Sequence, residues 1–359
     1  MKIGIASLIT AVLAFVAAAN PSAVEVAEAG CTLTGTYKAG TDISTCSSVV
    51  INALTVPAGV KLDLTKTKDG ATITFQGTTT FGTKAWEGPL IELTGSNLKV
   101  TGTGTLDGQG SWYWKQGTSI SRPVFFRITR ASSTTLSSFN IKNMPYRTFS
   151  VLSSSYVTIS GLTLDSTAGD GLAKNTDGFD LGRNNHVTIS GCKVYNQDDC
   201  LALNSGNNTI FSGNTCSGGH GISIGSIGGT VVDRNSIVNG VTVYNNKILN
   251  GKNGLRIKTI VDLEGLVTNA NYTSNTLSNV KFGLVIRSDY SKAKGGYTGS
   301  ATSKVGITGI TINGLTGSAT NVYDIKANSK VASNWKFSGI KVKGTAGTCT
   351  GQPSNIKCA

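Results

Sequence analysis

Five short segments of this chain share one frame. They are Gly178-Phe179-Asp180-Leu181, Cys200-Leu201-Ala202-Leu203, Gly221-Ile222-Ser223-Ile224, Gly254-Leu255-Arg256-Ile257-Lys258 and Gly283-Leu284-Val285-Ile286-Arg287. Their starts lie 22, 21, 33 and 29 residues apart. A unit this short, holding one strand with two apolar residues, cannot bury that face alone and must stack on its neighbours. Stacked coils turn equivalent positions into a column that climbs ~4.8 Å per coil, the spacing between paired strands. Asp177, Asp199 and His220 stand directly before the first three frames. Stacking therefore gathers two carboxylates and a histidine on one face, with Asp198 one residue off the column.

The rest of the chain agrees with stacking. Val157-Thr158-Ile159-Ser160-Gly161 returns as Val187-Thr188-Ile189-Ser190-Gly191, and residues 241–259 align with 270–288 without a gap. Glycine is frequent, at 45 of 359 residues, while proline is scarce at 6, which suits many short strands and tight turns. No hairpin turns separate the strand-like segments, which argues against a sandwich or propeller. The expected fold is all-β: a single-domain, right-handed parallel β-helix spanning residues 31–359. Its open ends need covers. The segment with Cys31 and Cys46 and the C-terminal loop with Cys349 and Cys358 are the candidate caps.

Strand alternation gives the facing of the frame residues. Leu255 and Ile257 point inward, as do Phe179 and Leu181, Leu201 and Leu203, Ile222 and Ile224. Arg256 and Lys258 then share the solvent face. Arg287 takes the Lys258 slot one coil later, which predicts a third cation beside the same site. Alternation cannot be carried through the turn that holds Asp177, Asp199 and His220.

The start of the chain reads as a secretory leader. Lys2 precedes an apolar run from Ile3 to Phe15, then Ala17-Ala18-Ala19. Residues 1–19 are read as signal peptide and 20–30 as a propeptide, so the protein is expected outside the cell. The run is too short to span a bilayer and no later segment is long enough, so no membrane association is expected. Seven cysteines fit an oxidising compartment. Pairing neighbours gives Cys31–Cys46, Cys200–Cys216 and Cys349–Cys358, leaving Cys192 as a buried thiol. Asn207 and Asn271 head glycosylation sequons. The net charge of +13 calls for an acidic partner. Only two histidines exist, His186 in a turn-like surface segment and His220. They make no ligand set, so neither a metal nor a cofactor is expected.

Asp177, Asp198 and Asp199 suit one chemistry in particular. Glycoside hydrolysis needs one carboxylic acid for the leaving oxygen and a carboxylate that attacks or activates water. Crowded carboxylates raise one another's pKa and keep one protonated. His220 can tune that proton, and Arg256 and Lys258 can hold an anionic sugar.

Four segments in the same order resemble the signature motifs of polygalacturonases, pectin-degrading members of glycoside hydrolase family 28. They are Asn175-Thr176-Asp177-Gly178-Phe179-Asp180, Gln197-Asp198-Asp199-Cys200, Ser217-Gly218-Gly219-His220-Gly221-Ile222-Ser223-Ile224-Gly225-Ser226 and Arg256-Ile257-Lys258. Gly102-Thr103-Gly104-Thr105-Leu106-Asp107-Gly108-Gln109-Gly110, Trp112-Tyr113-Trp114 and the segment leading to Tyr290 are similar to the family as well. The resemblance implies a pectin-lyase-like β-helix and an inverting hydrolase of de-esterified pectin. It makes Asp198 the general acid, and gives Asp177 and Asp199 the attacking water. His220 adjusts the acid's protonation, and Asn175, Arg256, Lys258 and Tyr290 bind galacturonate. It also brings in plant inhibitor proteins as candidate partners of a monomeric enzyme.

Two departures stand out. Arg287 and Ser288 replace residues where the family often has glutamine, and no cysteine pair lies near Asn328 to Ala332. The compact length and the glutamine before Asp198 favour internal cleavage. An exo-acting relative and a non-catalytic pectin-binding or elicitor protein are the alternatives. Nucleic acid is set aside because no motif for it is present. A mildly acidic optimum is expected if Asp198 must stay protonated.

Overall fold

The computed structural model describes residues 30–358, so the signal segment and nearly all of the propeptide segment lie outside the described residues. The described residues form thirty-one strands, with one five-residue helix at Gly110–Trp114 and one 3-10 turn at Thr167–Gly169. Among the described residues, the ladders between strands run parallel except where Tyr290 meets Tyr297 in a small hairpin.

Strands pair coil on coil. Phe126–Thr129 pairs with Phe149–Leu152, then Phe179–Gly182, Leu201–Leu203, Ile222–Ile227, Asn253–Ile260 and Thr276–Ser291. This site sheet is one of three that wrap the core as a right-handed β-helix. The register is the one read from the frame: Phe179, Leu201, Ile222, Leu255 and Leu284 are successive partners. All five are buried. Phe126, Phe149 and Phe179 stack in line, with ring centroids 5.4 Å apart at both steps. Parallel strands buried along one face suit this apolar, aromatic-rich stack.

The repeated Val-Thr-Ile-Ser segments pair residue for residue in the second sheet. His186 lies there, exposed and stacked on Tyr156 at 4.7 Å. It occupies a left-handed bend inside a strand, the same position as Asn208 and Asn269 in later coils. A buried asparagine ladder closes another turn of each coil. Asn214 N donates to Asn246 Oδ1 at 2.9 Å, and Asn246 N to Asn275 Oδ1 at 3.1 Å. Turn amides cut off from water need such partners.

The three disulfides pair as the local spacing indicated, Cys31–Cys46, Cys200–Cys216 and Cys349–Cys358. The first and last tie down the two ends of the helix. Cys192 is free and buried, and burial raises its thiol to about 11. Asn207 and Asn271 are exposed.

Candidate active site

The turn that leads into the site sheet keeps the coil register. Gly178 N donates to the Asp199 carbonyl at 2.8 Å, and Cys200 N to the Gly221 carbonyl at 2.9 Å. Asp177, Asp199 and His220 therefore extend the column, which alternation alone could not establish. Asn196 fastens the turns together. Its buried Nδ2 donates to the carbonyls of Thr176, Asp198 and Asp199 at 2.9, 3.0 and 3.1 Å. The side chains of Asp177, Asp198 and Asp199 open into a cleft of about 440 Å³.

Asp198 stands one residue ahead of the column, and that offset gives it separate partners. Its Oδ1 accepts from the Asp199 amide at 2.8 Å and faces His220 Nδ1 at 2.9 Å. Its Oδ2 accepts from Asn175 Nδ2 at 3.3 Å. Asn175 is oriented from behind, because Arg122 donates to its Oδ1 at 2.9 Å and a guanidinium has no acceptor. The glycines around His220 allow the close approach. A Cβ on Gly219 would lie 2.1 Å from the Asp198 carbonyl, and His220 N donates to that carbonyl at 2.8 Å.

Asp199 is clamped from the other side. Its Oδ1 accepts from Ser223 Oγ at 2.8 Å and from Arg256, and its Oδ2 accepts from Lys258 Nζ at 2.9 Å. Arg256 also reaches Ser223 Oγ at 2.9 Å. Lys258 forms part of the cleft wall, with its ammonium 5.3 Å from the Tyr290 ring centre. Arg256 and Lys258 do leave the core face together, as the alternation required, yet they are only 6% and 8% exposed. Arg256 sits behind Asp199, beside the half-buried Tyr297 of the hairpin.

The carboxylates divide their protons unevenly. Burial pushes Asp177 well above the usual carboxylate range, and the charges of Asp180, Asp198 and Asp199 add to it. Burial also takes Asp180 to about 7, against the pull of Arg147. Burial acts upward on Asp198 too. The hydrogen bond and charge of His220, the charge of Lys258 and the Asp199 amide outweigh it and leave Asp198 at about 2. These contacts hold Asp198 toward its ionised form.

Oxygens of Asp198 and Asp199 and a nitrogen of His220 lie within 4.8 Å of one another. A metal ion there would compete with Arg256 and Lys258 for Asp199, so the donor set is poorly suited to one.

A second correction concerns Arg287. It does pair with Lys258 in register. Its guanidinium, however, is bound by Asp289 at 2.9 and 2.7 Å and by Asp324 at 2.6 Å, and lies over the Tyr297 ring. It is not a free cation for the cleft.

Sequence reasoning also passed over Asp180, Arg147 and Ser223. Asp180 partners Ala202, which partners Ser223, which partners Arg256. Applying the outward slot of Arg256 to every coil would have found the acid.

The sequence matches glycosyl hydrolases family 28 over residues 46–358. It is 44% identical over 335 residues to a polygalacturonase of Saccharomyces cerevisiae, covering 90% of this chain and 91% of that one. It is 43% identical over 366 residues to a probable endopolygalacturonase I of Aspergillus terreus, covering 97% and 98%. Its fold is similar to the solved endopolygalacturonase I of Stereum purpureum complexed with two galacturonate. The TM-score is 0.72 at 32% identity, over 89% of this chain and 99% of that one. With the family model matched over residues 46–358 and relatives 43–44% identical over 90% or more of its length, this chain belongs to glycosyl hydrolases family 28.

Proposed function

We propose that the chain is a secreted, endo-acting polygalacturonase that cleaves internal α-1,4-galacturonosidic bonds of de-esterified pectin with inversion. The observation that carries the reading is the Asp198–His220 pair set beside Asp177 and Asp199 in one open cleft. The names of the relatives at 42–44% identity support the substrate class.

In this reading the Asp198–His220 pair supplies the proton. An anionic sugar entering the cleft brings negative charge toward Asp198 and expels water, and both changes raise the Asp198 pKa. The proton then moves onto Asp198 and from it to the leaving oxygen as the bond to the anomeric carbon breaks. Water attacks that carbon from the opposite face and gives its proton to the Asp177–Asp199 pair. Lys258, with Arg256 behind it, offsets the crowding of the carboxylates. Lys258 and Tyr290 form a wall against which a galacturonate is held. The three disulfides suit an oxidising, extracellular setting. The enzyme acts as a monomer, and an inhibitor protein would have to cover this cleft.

Product stereochemistry tests the mechanism. Proton NMR of freshly cleaved oligogalacturonate should show the β anomer first. An α anomer formed first would mean retention and would overturn the water-activating role of Asp177 and Asp199.

A further inference from the structure

Arg127 occupies the outward slot of Asp180 two coils earlier, through the pairings with Ser150 and then Asp180. That places it about 10 Å from the Asp177 turn and about 14 Å from the Asp198 turn along the helix axis, from two and three coil spacings. A separate cavity of about 350 Å³ opens there, lined by Arg127, Arg122, Tyr146, Ser121 and Glu87. Tyr146 is flanked by two guanidinium groups, Arg122 at 4.8 Å and Arg147 at 5.1 Å from its ring centre.

Apart from Glu87 in the cavity wall, the other charges nearby are engaged. Arg147 pairs with Asp180 at 3.7 Å. Arg122 donates to Asn175 and to the Lys174 carbonyl. Glu92, the next acid in the column, is held by Lys61 at 2.5 Å. Arg127 differs from these. Its Nε is buried with no hydrogen-bond partner, and its guanidinium forms no ion pair with any described residue. A half-buried guanidinium without an acceptor is costly unless a ligand completes it.

We infer that this cavity is a remote carboxylate subsite of the same cleft, in which Arg127 reads an acidic sugar and Tyr146 packs against its ring. The inference rests on the polygalacturonase reading and extends it to chain length. The two-coil step exceeds the span of one pyranose ring. The sugar read by Arg127 is therefore not the one being cleaved, and only longer chains reach both places. Glu87 sets one acid against two guanidinium groups, which favours an anion without making the cavity indiscriminate.

The test compares cleavage of tri- and hexagalacturonate by wild type, Arg127→Gln and Arg127→Lys, with thermal unfolding as a check on folding. Arg127→Gln should lower kcat/KM on the hexamer about tenfold, the weight of one charge-assisted hydrogen bond. The loss on the trimer should be at least about fivefold smaller. Arg127→Lys should restore part of the hexamer rate by keeping the charge while losing the fork. Equal losses on both substrates, or none, in folded variants would overturn the subsite while leaving the polygalacturonase reading intact. A wild type that cleaves neither oligomer would overturn that reading and the subsite with it.

Discussion

Asp198 Oδ1 and His220 Nδ1 stand 2.9 Å apart although 22 residues separate them in sequence. The contact is made by stacking: one coil brings the Gly-His-Gly turn under the Asp-Asp turn. It joins the carboxylate to a donor that reverses the upward push of burial. His220→Asn should lower kcat on polygalacturonate by about a hundredfold, the lower range for loss of assisted proton transfer. The alkaline limb of the pH–rate profile should move as well. A lower rate with an unmoved limb would separate His220 from the proton that the pair holds.

Lys258 and Arg256 hold a nearly inaccessible carboxylate between them. Asp199 is 1% exposed. Removing one partner of a buried ionic cluster strands the other and typically costs ~3–5 kcal/mol. Lys258→Met should therefore lower the denaturant midpoint as well as the activity. The double variant with Asp199→Asn should lose less stability than the two single losses combined. Additive losses would show that Lys258 acts independently of Asp199.

Arg287 bridges Asp289, whose side chain is inaccessible, and Asp324. Arg287→Gln should reduce stability, because two carboxylates lose their cation. The KM on de-esterified polymer should stay within about twofold of wild type. A clear rise in KM without loss of stability would restore the idea of Arg287 as a cleft cation.

Asp180 should give the fold an unusual pH slope. Its carboxyl is raised from the ordinary 3.8 to about 7. The folded state then holds this proton more tightly than the unfolded chain. The stabilisation is complete below about 4 and is lost as pH rises toward about 7. Asp198, lowered to about 2, has the opposite sign: its stabilisation is present above about 4 and is lost as pH falls through about 2. Asp180→Asn should thus gain thermal stability over wild type as pH climbs from about 4 to about 7. A constant difference in melting temperature over that range would refute the raised Asp180.

The column of the site was legible in the sequence because one apolar frame recurs at Phe179, Leu201, Ile222, Leu255 and Leu284. Buried parallel strands tolerate little else at those slots. Asp177, Asp199, His220 and Lys258 followed from it, and the motif resemblance added Asp198 and Asn175. Pairing was harder to read. An outward slot says that Arg256 and Arg287 leave the core face, but not that an acid two coils back claims Arg256, or that acids in its own coil and the next claim Arg287. The Arg287 partner Asp324 lies 37 residues on, in another coil. The proton balance was equally hidden, since Asp198 and Asp177 have the same chemistry and differ only in who faces them. The left-handed bends at Tyr156, His186 and Asn208 also went unread, because unlike side chains occupy one backbone conformation.

The central claim is that the turn carrying Asp198 cleaves pectate chains internally. Wild type and Asp198→Asn should be incubated with de-esterified polygalacturonate while viscosity and new reducing ends are followed together. The account predicts a steep viscosity drop at few cleavages for wild type, and a rate about a hundredfold or more lower for the variant. Monomer release with slow viscosity loss, or a variant as active as wild type, would contradict it.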